Sequence, residues 1–157
     1  MAKKINWLQI VVLVLITELV GFISSFLSGN VREIYAVLMK PPLSPPAWLF
    51  GVVWPMLYML MAIAVYIIYQ TPNTSKKKSL ILLYWIQLFI NFTWSIIFFR
   101  FQWFAFSIAI IVLLDFLVLF ITVKYAKINK AAGSLLIPYL LWILFATYLN
   151  IGIAILN

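Results

Sequence analysis

The chain has 157 residues, of which 67% are hydrophobic and 9% are charged, and its formal net charge is +8. A water-soluble domain of this length cannot bury so much apolar surface, so the composition excludes a soluble protein and indicates one that crosses a membrane several times. The sequence contains neither cysteine nor histidine, which excludes disulfides and thiolate metal sites and removes the commonest zinc and haem ligand and the usual general base.

Five apolar runs are long enough to cross a membrane, which takes about 20 helical residues. The connections between them are short except the first, so successive helices should be antiparallel neighbours. No alternating pattern of strands occurs, and open sheet edges are not tolerated in lipid. The sequence therefore predicts one all-α integral membrane domain over residues 1–157, a five-transmembrane-helix bundle with spans at about 5–27, 47–69, 79–99, 104–125 and 134–156.

The long first connection, at 28–46, ends in a stretch rich in proline and tryptophan. Residues 40–58 hold five of the seven prolines. Paired prolines remove backbone donors and fix φ, so 41–46 is predicted to be stiff and extended, with a helix beginning at about Ala47. The stretch is interpreted either as a proline-rich lid over an apolar pocket or as a loop that simply joins two helices near the membrane surface.

The basic residues predict the orientation in the membrane. Eight of the eleven lie on the side of the N-terminus, at Lys3, Lys4, Lys76, Lys77, Lys78, Lys124, Lys127 and Lys130, and the others are Arg32, Lys40 and Arg100. The positive-inside rule then places the N-terminus in the cytoplasm, and the first loop and the C-terminus outside. Because these lysines lie between apolar runs, they are interpreted as topology signals, and no nucleic-acid partner is expected.

Three spans place polar and aromatic side chains on one helical face, at spacings of three or four residues. The faces consist of Trp54, Tyr58 and Met61, of Gln87, Asn91 and Trp94, and of Trp142, Ala146 and Asn150. With the orientation above, they should converge beneath the proline-rich loop and form an aromatic pocket for a small molecule. The alternative is that the two asparagines join helices by hydrogen bonds and that the rings fill the core.

Two further features of the spans leave alternatives open. Glu18 and Asp115 are the only acids within spans; they are interpreted either as a relay or as carboxyls that are protonated or satisfied by a neighbour such as Thr17 or Lys124. Small residues at Gly21, Ser25 and Gly29 form a stripe, which predicts close helix approach inside the bundle or between protomers.

Taken together, the motifs resemble those of one membrane-protein family. They are Lys40-Pro41-Pro42, Pro45-Pro46-x-Trp48-x-Phe50-Gly51-x-x-Trp54-x-x-x-Tyr58, Gln87-x-x-x-Asn91-x-x-Trp94, and Pro138-Tyr139-x-x-Trp142-x-x-Phe145-Ala146-Thr147-x-Leu149-Asn150. In order and in span count, the chain is similar to the TspO/MBR family, the tryptophan-rich sensory proteins of bacteria that are called translocator protein or peripheral benzodiazepine receptor in mitochondria. The resemblance is strongest to bacterial members, which implies a bacterial cell membrane.

The resemblance implies a pocket that binds porphyrins, including protoporphyrin and haem, and synthetic isoquinoline carboxamide or benzodiazepine ligands. It also implies contact with membrane lipid and a homodimer. By this resemblance the residues that line or cover the pocket are Pro41, Pro42, Trp48, Trp54, Tyr58, Asn91, Trp94, Trp142 and Ala146. The sterol motif of eukaryotic members does not follow Asn150 in this chain.

The resemblance also links tryptophans to porphyrin breakdown in light and oxygen, and Trp54 and Trp142 are the candidates here. No conventional catalytic constellation, metal site or obligatory cofactor is predicted. Because no histidine or cysteine is present to ligate iron, metal-free porphyrin is expected to bind at least as well as haem. The alternative function is transport of porphyrins or other lipophilic molecules, although the chain lacks the repeats and charged pathway of an alternating-access carrier.

Overall fold

A computed structural model describes residues 5–72 and 75–157, so Lys3 and Lys4 lie outside the described residues. In chain order the helices are α1 (Trp7–Leu27), α2 (Val31–Val37), α3 (Ala47–Gln70), α4 (Ser75–Ser95), α5 (Phe104–Ile128) and α6 (Lys130–Leu156), and α4 continues as a π-helical turn at Ile96–Arg100. Within the described ranges, five of the helices are long and apolar enough to cross a membrane. The prediction of an all-α integral membrane bundle with five spans is confirmed, and the orientation stays a prediction.

Helices α5 and α6 are joined more tightly than predicted. The sequence predicts a connection at 126–133, whereas α5 ends at Ile128 and α6 begins at Lys130. The Asn129 side chain accepts a hydrogen bond from the Ala132 amide at 3.2 Å, which caps α6. Gly133 lies so close to Ala126 that a Cβ added there would collide with it. The predicted connection was therefore too long because these small residues let the last turn of α5 pack against the first turn of α6.

The third span also begins earlier than predicted, at Ser75 instead of residue 79. The Lys77 ammonium donates hydrogen bonds to the Tyr69 and Thr71 carbonyl oxygens at 2.8 and 2.9 Å. These bonds satisfy carbonyls that the end of α3 leaves without intrahelical partners. A lysine run that suggested a polar loop is therefore the first turn of α4, and it closes the preceding helix.

The first connection contains α2, which was not predicted, followed by the proline-rich stretch. The chain is non-helical from residue 39 to 46 and α3 begins at Ala47, as predicted. The Lys40 ammonium donates to the Tyr35 and Leu38 carbonyls at 2.9 and 2.7 Å and so caps α2. Burial raises the pKa of the Tyr35 hydroxyl, which donates to the Pro45 carbonyl at 2.9 Å. The loop is thus folded by its own contacts.

The same loop is fastened to the C-terminal end of α6. The Tyr148 hydroxyl donates to the Pro42 carbonyl at 2.7 Å. The Asn157 side chain accepts from the Met39 amide at 3.0 Å and donates to the Met39 carbonyl at 2.8 Å. Pro41 packs against Gly152, where a Cβ would meet its ring. The loop therefore covers the end of the bundle from the α6 side.

Candidate functional site

A cavity of about 780 Å³ opens beneath the first loop. Its walls come from α1, the start of α2, α3, α4 with its π-helical turn, and α6, and from the residues between α1 and α2. The buried core of the bundle, built around residues such as Met61, Tyr84 and Leu114, lies below it. A second buried cluster around Trp94 and Phe98 lies beside it, under the loop. The cavity is thus the space that the loop end of the bundle leaves unfilled.

Helix α3 supplies an aromatic wall. Trp48, Trp54 and Tyr58 line the cavity, because positions 47–48, 51, 54–55 and 58 recur on one helical face. The Trp54 and Tyr58 rings are stacked, with centroids 5.6 Å apart, and Trp54 meets the edge of Tyr139 at 6.5 Å. Met61, predicted on the same face, is fully buried one turn below the cavity lining. The part of this α3 face up to Tyr58 therefore lines the cavity, and the part at Met61 packs in the core.

Helix α4 contributes Asn91 and Trp94 to the lining. The Asn91 side chain accepts a hydrogen bond from the Tyr58 hydroxyl at 3.2 Å and donates to the Tyr139 oxygen at 2.9 Å. The Tyr139 hydroxyl in turn donates to Gln87 Oε1 at 2.9 Å. Asn91 thus joins α3, α4 and α6 at the cavity floor, as the interhelical interpretation predicts, while it also borders the cavity.

Helix α6, which packs beside α3, contributes Trp142 and Ala146 to the lining. The Trp142 ring meets the edge of Phe50 at 6.0 Å, and its indole nitrogen is buried without a hydrogen-bond partner in the described part of the chain. Asn150, predicted on the same face, is not among the lining residues. It accepts from the Trp94 indole and the Ser107 hydroxyl, each at 3.0 Å. Asn150 therefore holds Trp94 in place from behind.

The sequence analysis missed the wall formed by α1. Glu18, Gly21, Phe22 and Ser25 of α1 all border the cavity, and Arg32 of α2 borders it as well. The close approach predicted for the small-residue stripe occurs at Gly21, where a Cβ would collide with the Tyr58 ring. The signal that could have identified the wall is the spacing of Glu18, Gly21 and Ser25, since positions three and seven residues apart share a helical face.

Pro41 and Pro42 are the two predicted binding residues that the structure does not place in the cavity lining. They lie instead against α6, through Gly152 and Tyr148. The seven others, Trp48, Trp54, Tyr58, Asn91, Trp94, Trp142 and Ala146, come together around one space.

The two acids within the spans are separated. Glu18 borders the cavity, whereas Asp115 lines a small hollow between α5 and α6 and accepts from the Thr147 hydroxyl at 2.7 Å. The neighbours proposed for them have other contacts. The Thr17 hydroxyl bonds to the Leu13 carbonyl and to Tyr84, and the Lys124 ammonium lies over the Phe120 ring.

Comparison with known proteins places these features in a family. The sequence model of the TspO/MBR family matches residues 12–156. The tryptophan-rich protein TspO of Archaeoglobus fulgidus is 39% identical over 155 residues, which covers 97% of this chain and 99% of that protein. The protein of the same name from Chlorobaculum tepidum is 36% identical over 140 residues, covering 88% and 89%. The human translocator protein is 33% identical over 129 residues, covering 81% and 76%.

Proposed function

The chain belongs to the TspO/MBR family, and we propose that it is a membrane protein that binds flat, apolar small molecules, with tetrapyrroles such as protoporphyrin and haem as its main ligands. The observation that carries the proposal is the pair of aromatic walls, Trp54 with Tyr58 and Trp142 with Phe50, on one cavity of about 780 Å³. That volume falls within the range of about 300 to 1,000 Å³ that is typical of small-molecule sites.

Ring contact and apolar burial supply the binding energy in this proposal. Aromatic pairs prefer offset or edge arrangements, which a tetrapyrrole face and edge can make with these walls. Asn91 contributes little new hydrogen bonding, because Tyr58 and Tyr139 already occupy one acceptor and one donor position of its amide. Protoporphyrin without metal is expected to bind at least as well as haem, and a titration in which only haem binds would contradict this.

Synthetic aromatic ligands are the second ligand class in this proposal. Isoquinoline carboxamides and benzodiazepines present flat rings that can pack against the same aromatic side chains, Trp54 and Trp142, that line the cavity. They are therefore expected to compete with porphyrin for the cavity.

Light-dependent porphyrin degradation is the second part of the proposal. In this proposal light excites the bound porphyrin, molecular oxygen is the oxidant and the macrocycle is oxidised. The electron-rich indoles of Trp54 and Trp142 belong to the cavity lining and would lie beside the ligand. The test measures protoporphyrin absorbance under illumination in air, with binding followed by tryptophan quenching. Trp54→Phe and Trp142→Phe should bind porphyrin but bleach it more slowly than the wild type.

A matched control is Trp85→Phe, because Trp85 packs against Tyr84 and does not border the cavity. This variant should bleach porphyrin at the wild-type rate. If all the proteins bind porphyrin and bleach it no faster than free porphyrin in detergent, the cavity is a receptor site without photochemistry. If the wild type does not bind porphyrin at all, the proposed function is wrong.

Transport is the second candidate function. It is favoured by the exposed apolar side chains Leu19 and Phe22, which border the cavity on a membrane-spanning helix and so offer contact with lipid. The name translocator protein is carried by the human relative. Porphyrin flux into proteoliposomes, compared with protein-free vesicles, distinguishes transport from binding alone.

A further inference from the structure

Among the described residues, the cavity lining includes one acidic side chain, Glu18 of α1, and one basic side chain, Arg32, which is exposed at the mouth. From this arrangement we infer that Arg32 and Glu18 determine the orientation of the bound ligand, that is, which of its edges lies inside the cavity. The acidic edge of an aromatic ligand lies at Arg32, and its apolar edge lies toward Glu18. The inference rests on the proposed binding function and names the ligand class more closely: an aromatic body whose carboxylates are all on one edge.

Glu18 lies well before the C-terminal end of α1, and its side chain is partly buried. It lies nine residues before Leu27, the last residue of the helix, which corresponds to about 14 Å along the axis. Its helical neighbours on the cavity side are Leu15, Gly21 and Phe22, none of which carries a charge. Within residues 5–72 and 75–157 the carboxyl has no hydrogen-bond or ion-pair partner. A ligand carboxylate at this depth would lose contact with water and would find no cationic side chain to pair with.

Arg32 is the basic side chain that remains available at the mouth. It is exposed and borders the cavity from α2. The two other cations on this side have contacts of their own: Lys40 caps α2 through the Tyr35 and Leu38 carbonyls, and Arg100 reaches the Leu27 carbonyl at 3.5 Å. Arg32 has no hydrogen-bond or ion-pair partner among the described residues, and its planar guanidinium suits a carboxylate.

Most other polar side chains in the lining are already paired with the protein. Tyr58 and Asn91 bond to each other, Trp94 bonds to Asn150, and Ser24 donates to the Phe92 carbonyl. The neighbouring acid on α2, Glu33, is exposed and does not border the cavity. Within the described ranges, Glu18 and Arg32 are therefore the acidic and basic side chains of the lining. Their separation makes the two possible orientations of an acidic ligand unequal.

The test compares protoporphyrin, which has both carboxylates on one edge, with its dimethyl ester, which has the same ring and no charge. Each is titrated by tryptophan quenching into the purified full chain in detergent. The wild type should bind the diacid more tightly than the ester. Arg32→Gln should weaken diacid binding about fivefold, as expected for an exposed ion pair of about 1 kcal/mol, and should leave ester binding within about twofold.

The control variant is Arg100→Gln, which removes a cation from the same side of the protein without touching the cavity lining. It should leave both affinities within about twofold. Glu18→Gln should also leave diacid binding within about twofold, because the carboxylates lie at the far end of the cavity. Unchanged ester binding shows that each variant is folded.

Three outcomes overturn the inference. The first is equal binding of diacid and ester by the wild type, and the second is a diacid affinity unaffected by Arg32→Gln. The third is a gain of more than tenfold in diacid affinity in Glu18→Gln, which would mean that the carboxylates lie beside Glu18. In each case saturable binding leaves the proposed function standing, whereas failure of the wild type to bind either porphyrin overturns both.

A chemical probe tests the orientation without a variant. A protoporphyrin coupled through one propionate to a short polyethylene glycol chain should bind within about threefold of the dimethyl ester, because the chain leaves through the mouth. A loss of more than about tenfold would place the propionate edge inside the cavity and would contradict the inference.

Discussion

The hydrogen bonds of Asn91 predict a measurable loss of stability when this side chain is made apolar. In Asn91→Leu the Tyr58 hydroxyl loses its acceptor at 3.2 Å and the Tyr139 oxygen loses its donor at 2.9 Å. Tyr139 is fully buried, so water does not replace the lost partner. Interhelical hydrogen bonds in membranes contribute about 0.6 kcal/mol on average and about 1.7 at most. Loss of both should therefore lower the free energy of unfolding by about 1 to 3 kcal/mol.

The measurement is unfolding in mixed detergent micelles, followed by far-ultraviolet circular dichroism. The matched control is Thr93→Val on the same helix, because the Thr93 hydroxyl donates to the Ile90 carbonyl of its own helix, at 2.9 Å, and to no other helix in the described part of the chain. This variant should change stability by less than about 0.5 kcal/mol. If Asn91→Leu is as stable as the wild type, the network does not hold the three helices together and our account of the cavity floor is wrong.

Two further predictions concern helix packing and the loop. Gly133→Ala should lower the free energy of unfolding by more than about 1 kcal/mol, because the added methyl group collides with Ala126. In the same unfolding assay the control Gly51→Ala should be neutral or slightly stabilising, because a Cβ there meets nothing within 4 Å. Asn157→Ala should speed porphyrin release several-fold in stopped-flow fluorescence, because both hydrogen bonds to Met39 are lost. The control Ile155→Ala, at an exposed position of the same helix end, should leave the release rate unchanged. Equal rates for Asn157→Ala and the wild type would show that the loop does not limit release.

The spans could be predicted from the sequence because apolar length alone decides whether a helix crosses a membrane. The ends of the helices could not, because they depend on contacts between side chains and backbone that are distant in sequence or specific in geometry. Lys77 turns a polar run into the first turn of α4 by capping α3. Asn129 and Gly133 shorten a predicted loop to a single residue. Charged and polar residues in the sequence indicate roughly where a helix ends, and local hydrogen bonds determine the residue at which it ends.

The polar residues that border the cavity could be predicted only in part, again because their contacts are not visible in the sequence. A polar residue in a span needs either a partner in another helix or a place at a cavity, and its sequence position does not say which. Asn91 and Asn150 lie at comparable places in their faces, yet Asn91 borders the cavity and Asn150 supports Trp94 from behind.

What separates the two cases is the hydrogen-bond partner, which the sequence does not contain. Asn150 contacts three groups, from Trp94, Ser107 and Phe104, and this leaves it no role toward a ligand. Glu18 and Arg32 have no such partners in the described ranges, and both border the cavity. A side chain without a partner in the protein can bind a ligand without breaking an existing hydrogen bond. Arg32 is therefore a stronger candidate for a polar ligand contact than the asparagine that the sequence motif emphasises.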